Sequence, residues 1–296
     1  MKLFPLTVIA TAWAFCFSTL MAQSVSFEPL ATKGVEEGKV SSSSCVLIDS
    51  HGTLVTVAEL GSDVNKATLV VEGKKVSLKF IANDQDSRVA IYRVPSDYLS
   101  LLPPASDLGS SHDLKPSEVV YASATERADP ARVVCRVNRF QGKVLPLAVL
   151  RVNHSKSPPS PGSGIFNSHG KLVGLVRQVV YNSKNSSYCL PVEVITRSLE
   201  DYQSNKRISR CWIGIIMDQL VAAPVIESIR PGSPASKAGL QKGDVILSIG
   251  TQNVSGYAQV ADALYYLVAG APKKFRVIRG TEVKEFDVIP EIVPGS

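Results

Sequence analysis

Histidine is scarce in this chain, with four in 296 residues, and cysteine is hardly commoner at five. The cysteine spacings suggest no metal site, and no pair of carboxylates suited to acid–base work is evident. His51 and His169 fall in turns, His112 in a polar loop, and His154 just before a Ser/Pro-rich loop. Runs of like charge are missing too. The formal net charge is +6, but the basic residues are spread out, which speaks for a weak liking for anionic surfaces and against nucleic-acid binding. After the first two dozen residues no stretch is long and apolar enough to cross a bilayer. With 45% hydrophobic and 20% charged residues, nothing calls for disorder or a fibrous repeat.

What is present begins with a secretory pattern over 1–22. Lys2 is the one early charge, Leu3 to Met21 is largely apolar, and Ala22 offers a small residue at a cleavage point before Gln23. A retained anchor is the alternative. Bulky Phe15 before Cys16 argues against a lipid anchor. Cleavage would place the chain outside the cytoplasm, periplasmic or secreted, where Cys45, Cys135, Cys189 and Cys211 could pair. Cys135 with Cys189 is one candidate, but four cysteines allow three connectivities.

The remaining length suggests two or three domains. A polar arm (Gln23 to Lys39, with one aromatic, Phe27) leads into short, alternating, closely spaced strands, the mark of an antiparallel barrel or sandwich over 23–104. A Pro-containing passage ending at Pro104 links to a second strand-rich unit, 105–205, closed by a helix from about Val192 to Tyr202. The two units echo each other. VLIDSHGTLVT in the first and GIFNSHGKLVGL in the second share a strand, an Asp/Asn-Ser-His-Gly turn and a return strand. Gly takes the positive φ such turns need, and Asp or Asn caps them. Beyond a basic linker, 206–296 changes pattern. Ser233 is a helix N-cap, Pro234 sits at the first helical position, and Gly239 ends that short helix. A longer helix follows, about Ala258 to Val268, with Val260, Leu264 and Leu267 on one face.

The most informative stretch is SPPSPGSGIFNSHGKLVGL, Ser157 to Leu175. It resembles the nucleophile loop of trypsin-like serine proteases of the HtrA/Deg family, near NPGNSGGPLFNxxGxVxG. Laid on without a gap, Pro158, Gly162, Phe166, Asn167, Gly170, Val173 and Gly174 match, and the nucleophile's position falls on Pro161. The last unit, with GSPASKAGLQKGDVILSI, resembles a bacterial PDZ domain. The resemblance therefore implies a mainly β protein: a trypsin-like double β-barrel followed by an α+β PDZ domain.

Carried over residue by residue, the family's base position holds Glu59 and its aspartate position holds Arg88, neighbours that could form an ion pair. The oxyanion donors would be the N–H groups at Pro159 and Pro161, and proline has none. Losing one donor costs about 2.7–4 kcal/mol of transition-state stabilisation. The expectation is thus a pseudoprotease, not an enzyme, needing no cofactor and no metal. It would bind protein C-termini or exposed unfolded segments in a scaffolding, chaperone-like or regulatory role. The alternative is an active serine endopeptidase with Ser163 as a displaced nucleophile, paired with His154. In the PDZ unit the resemblance assigns the carboxylate-binding loop to Trp212, Ile213, Gly214 and Ile215, with Arg210 adding charge and Val260 and Leu264 lining the pocket. An active family member as partner, and a homo-oligomer assembled through the arm and Phe27, complete the expectations.

Overall fold

The computed structural model describes residues 23–29, 41–123, 129–141, 143–218 and 221–293. The signal segment lies outside them.

Seven strands make the first unit: β1 (Gln23–Pro29), β2 (Ser41–Leu47), β3 (Thr53–Val57), β4 (Ser62–Val71), β5 (Lys74–Ser77), β6 (Lys79–Asn83) and β7 (Val89–Arg93). They pair in the order β5-β4-β1-β2-β3-β7-β6. The polar arm is therefore in part a strand. β1 lies between β2 and β4, antiparallel to both. Val25 and Phe27 alternate with Ser24, Ser26 and Glu28, the period of a strand, and Val25 is fully buried; the pattern is short and easily passed over in a polar segment. The Phe27 backbone pairs with Ser41 and Ala67; its side chain lies outside the described residues.

The second unit is a closed barrel of β8 (Val119–Ala122), β9 (Asp129–Phe140), β10 (Lys143–His154), β11 (Gly164–Phe166), β12 (Leu172–Val179) and β13 (Ser186–Pro191), followed by α1 (Glu193–Asn205). The echoed turns have the same construction. Asp49 Oδ1 accepts the N–H groups of His51 and Thr53 at 2.9 and 2.8 Å. Asn167 Oδ1 accepts those of His169 and Lys171, both at 3.0 Å. One core runs between the units, joining Val55, Val57 and Ile91 of the first to Leu147, Phe166 and Leu190 of the second. Cys135 and Cys189 are both free thiols. They sit on strands either side of β10, opposite Arg151 and Leu150 respectively. One is exposed and the other buried, so they point to opposite faces of the barrel wall.

The third unit comprises β14 (Cys211–Trp212), β15 (Ile215–Met217), β16 (Ile226–Ile229), α2 (Pro234–Ala238), β17 (Val245–Ile249), β18 (Gln252–Asn253), α3 (Tyr257–Tyr265), β19 (Lys273–Arg279), β20 (Glu282–Val288) and β21 (Glu291–Ile292). Ser233 Oγ accepts the Ser236 N–H, and Gly239 closes α2 at φ +90°. Asp244, fully buried, receives a two-pronged grip from Arg279, Nε to Oδ1 at 2.7 Å and an Nη to Oδ2 at 2.8 Å.

This unit does not hang free. Along α3, Asp262 Oδ1 accepts the Ala148 N–H of β10 at 2.7 Å, and the Tyr265 hydroxyl donates to Asp84 of the first unit. The Arg197 guanidinium of α1 lies 5.3 Å over the Tyr265 ring, and Tyr266 packs into the core shared by the two barrels.

Candidate functional site

Three short bonds tie together the segments that carry Glu59, Arg88 and Pro161. Thr56 Oγ1 donates to the Ser44 carbonyl at 2.6 Å, and the Ser44 N–H donates to the Pro161 carbonyl at 2.7 Å. The Ala58 N–H, one residue before Glu59, reaches the Arg88 carbonyl at 2.9 Å. Gly162 makes this closeness possible. At φ +82°, a Cβ there would lie 1.9 Å from the Ser44 carbonyl oxygen. The expected Glu59–Arg88 ion pair is not formed, though the Glu59 charge opposes the lowering that burial imposes on the Arg88 pKa. Glu59 is exposed, where water competes for its carboxylate, and Arg88 instead donates to Gln178 Oε1 at 3.4 Å.

In the loop from Pro158 to Ser163 most backbone donors are missing or engaged, that of Ser160 excepted. Pro159 and Pro161 have no N–H. The Gly162 N–H is bonded to the Val176 carbonyl at 2.7 Å and that of Ser163 to the Ser160 carbonyl at 3.1 Å.

Beside this loop lies a pocket of about 200 Å³ whose lining includes Ser44, Asp129, His154, Ser157, Ser160 and Ser163. Sequence reasoning considered His154 with Ser163, and the structure brings both to this one pocket, without a hydrogen bond between them. Ser163 Oγ and His154 Nδ1 are buried and have no partner. His154 Nε2 is 2.7 Å from Ser187 Oγ, which is 3.3 Å from Cys189 Sγ. Burial lowers the His154 pKa to about 4, with the Asp129 carboxylate opposing the shift, so the ring is neutral at pH 7. Asp129 in turn faces Lys156 Nζ at 3.6 Å. Asp129 and Ser187 were missed in the sequence, because they lie far along the chain and only barrel closure makes them neighbours.

In the third unit, Gly214 has φ +80° and a Cβ there would collide with the Ser233 Cβ at 2.2 Å. Trp212 lies under the Arg230 guanidinium, 5.6 Å from ring centre. Two of the predicted groove residues are core: Ile213 and Val260 are buried among the apolar side chains of this unit. Ile215 and Leu264 are half-buried at its margin. Arg210 is also placed differently from expectation. Its guanidinium is paired with Asp86 of the first unit, because the linker passes close to the turn that precedes Arg88.

Comparison with known proteins matches residues 43–175 to the trypsin-like peptidase domain and residues 225–279 to the PDZ domain. The chain carries a trypsin-like peptidase domain followed by a PDZ domain. A probable periplasmic serine endoprotease DegP-like of Pseudomonas putida (strain W619) is 23% identical over 95% of this chain and 62% of its own length. Its counterpart in Hahella chejuensis is 23% identical over 90% of this chain and 59% of its own. The chain thus spans about three fifths of the length of the curated relatives it matches. Among solved structures, the HtrA-type protease AlgW with tripeptide superposes with a TM-score of 0.66 at 16% identity, covering 95% of this chain and 96% of that one. The serine endoprotease from Yersinia pestis gives 0.58 at 14%, over 94% and 96%. These findings correct one expectation. The sequence reading made the chain a non-enzyme, whereas the relatives and solved neighbours are named endoproteases and proteases.

Proposed function

We propose that this HtrA-type protein is a periplasmic serine endopeptidase that takes exposed or C-terminal stretches of polypeptide in its PDZ groove and attacks them with Ser163. The observation that carries the catalytic part is the pocket where a buried, unpartnered hydroxyl, a neutral imidazole and a carboxylate meet: Ser163, His154 and Asp129. Neutral His154 can take the Ser163 proton as the hydroxyl attacks; Asp129 then stabilises the imidazolium. Ser163 is fully buried, so substrate has to open the Ser157–Ser163 loop to reach it. The oxyanion must rely on the Ser160 N–H and on the Ser157 and Ser160 hydroxyls at the pocket, as Pro159 and Pro161 have no N–H and those of Gly162 and Ser163 are bonded within the fold. Each missing backbone donor is worth about 10²–10³ in rate, so turnover is slow.

The PDZ part rests on the fold and on the relatives, and it assigns Ile215 and Leu264 to side-chain contact and the Gly214 turn to the carboxylate. A periplasmic site of action follows the relatives' names. The test is labelling of the purified, folded protein with a fluorophosphonate and assay of casein cleavage. Covalent label on Ser163, lost in Ser163→Ala and in His154→Gln, supports the reading. Folded protein that neither takes label nor cleaves casein refutes it.

A further inference from the structure

At the far side of β12 a second pocket of about 200 Å³ has apolar walls from Val137, Phe140, Leu145 and Tyr188, with Arg177 and Gln178 at its rim. It is large enough for one aromatic or branched side chain. The Phe140 and Tyr188 rings meet edge to face at 6.4 Å. Phe140 is 45% exposed, so much of its ring is open to a ligand.

The rim is basic. Arg177 uses one Nη on the Asp86 carbonyl at 3.2 Å, and its Nε is buried without a partner. The Arg88 Nε is likewise buried and unpartnered. The carboxylates nearby are already engaged. Asp86 is held by Arg210, and Asp84 accepts from Ser87 Oγ at 2.7 Å and from Tyr265. Glu59 faces Arg88 from the exposed side. Burial and the neighbouring Arg88 charge both lower the Arg177 pKa, against the opposing Tyr265, Asp84 and Asp86. Among the described residues neither Arg88 nor Arg177 is gripped by a side-chain carboxylate, and of the two it is Arg177 that stands where the apolar pocket opens.

We infer that this pocket binds an apolar group carrying a carboxylate, the apolar part against the Phe140 and Tyr188 rings and the carboxylate on the Arg177 guanidinium. An arginine fork bonds a carboxylate in two places, and a turn of the guanidinium toward the pocket gives its buried Nε the acceptor it lacks. The same chemistry is offered by a free aryl or branched-chain acid and by the last residue of a polypeptide ending in an apolar side chain.

The test is calorimetric titration of the full chain with 3-phenylpropanoate, N-acetylphenylalanine and a tetrapeptide ending in phenylalanine, each beside its C-terminal amide. Acids bind and amides bind at least tenfold more weakly. Binding by 3-phenylpropanoate alone identifies a free acid as ligand, and stronger binding by the tetrapeptide identifies a chain terminus. Arg177→Gln removes the difference between acid and amide. Phe140→Ser, on the exposed rim, weakens both and serves where Arg177→Gln fails to fold. Equal binding of acid and amide, or indifference to Phe140→Ser, would each overturn the inference.

Discussion

Gly162 carries the tightest approach between the first two units. A methyl group there meets a backbone carbonyl oxygen at 1.9 Å, and the φ of +82° is one that side chains rarely adopt. Gly162→Ala is therefore expected to cost about 3 kcal/mol or more, read as a lower urea midpoint. His154 gives a prediction in pH. Its folded pKa, about 4, is below the ordinary histidine value because the ring is buried. Between pH 6.5 and 4 the unfolded chain binds a proton that the folded chain does not, so stability falls as pH falls through that window and is fully present above it. Denaturation at pH 5 and pH 7.5 should show a histidine contribution of about 1–3 kcal/mol in the native chain that is missing in His154→Gln. The same neutrality leaves the ring free to accept a proton at pH 7.

Among the elements, α3 serves two masters. One side buries Val260 and Ala263 in the PDZ core. The other sends Asp262 to the Ala148 N–H and Tyr265 to Asp84. Asp262 is buried and also accepts from Gln252 Nε2 at 3.0 Å, so Asp262→Ala orphans a buried N–H on β10. The expected loss is about 1–3 kcal/mol, measurable by denaturation, with faster exchange of the Ala148 amide as its local signature. A hairpin shows how such elements were foreseen. Asp49 and Asn167 sit at the same place in two turns and accept the same pair of N–H groups, a local bond that four consecutive residues announce. β1 was not foreseen, because its alternation of Val25 and Phe27 with Ser24, Ser26 and Glu28 is brief and sits in an otherwise polar segment.

For the molecule as a whole, the three units form one mechanical body through α1, α3 and the linker. Arg197 and Asp201 of α1 are buried 3.7 Å apart, and Asp201 also receives the Ser209 N–H. The chain should consequently melt in one calorimetric transition. Tyr265→Ala combined with Asp262→Ala should split that transition into two, and a single unshifted transition in the double variant would contradict the coupling.

Local chemistry alone determined the short strands, their capped turns and the α2 cap at Ser233, while the double barrel before a PDZ unit came from resemblance to a known family. Each local feature depends on residues within about ten positions of one another, so a linear pattern records it. By resemblance to a family motif, the sequence reading set Glu59, Arg88 and Pro161 at that family's three active-site positions. What stands around them was settled only by folding: Arg88 bonding Gln178 instead of pairing with Glu59, Arg210 drawn to Asp86, and the meeting of Ser163 with His154 and Asp129. These are choices among partners tens of residues apart. Barrel closure and the docking of α3 decide which charges lose water together, and no periodicity in the chain encodes that.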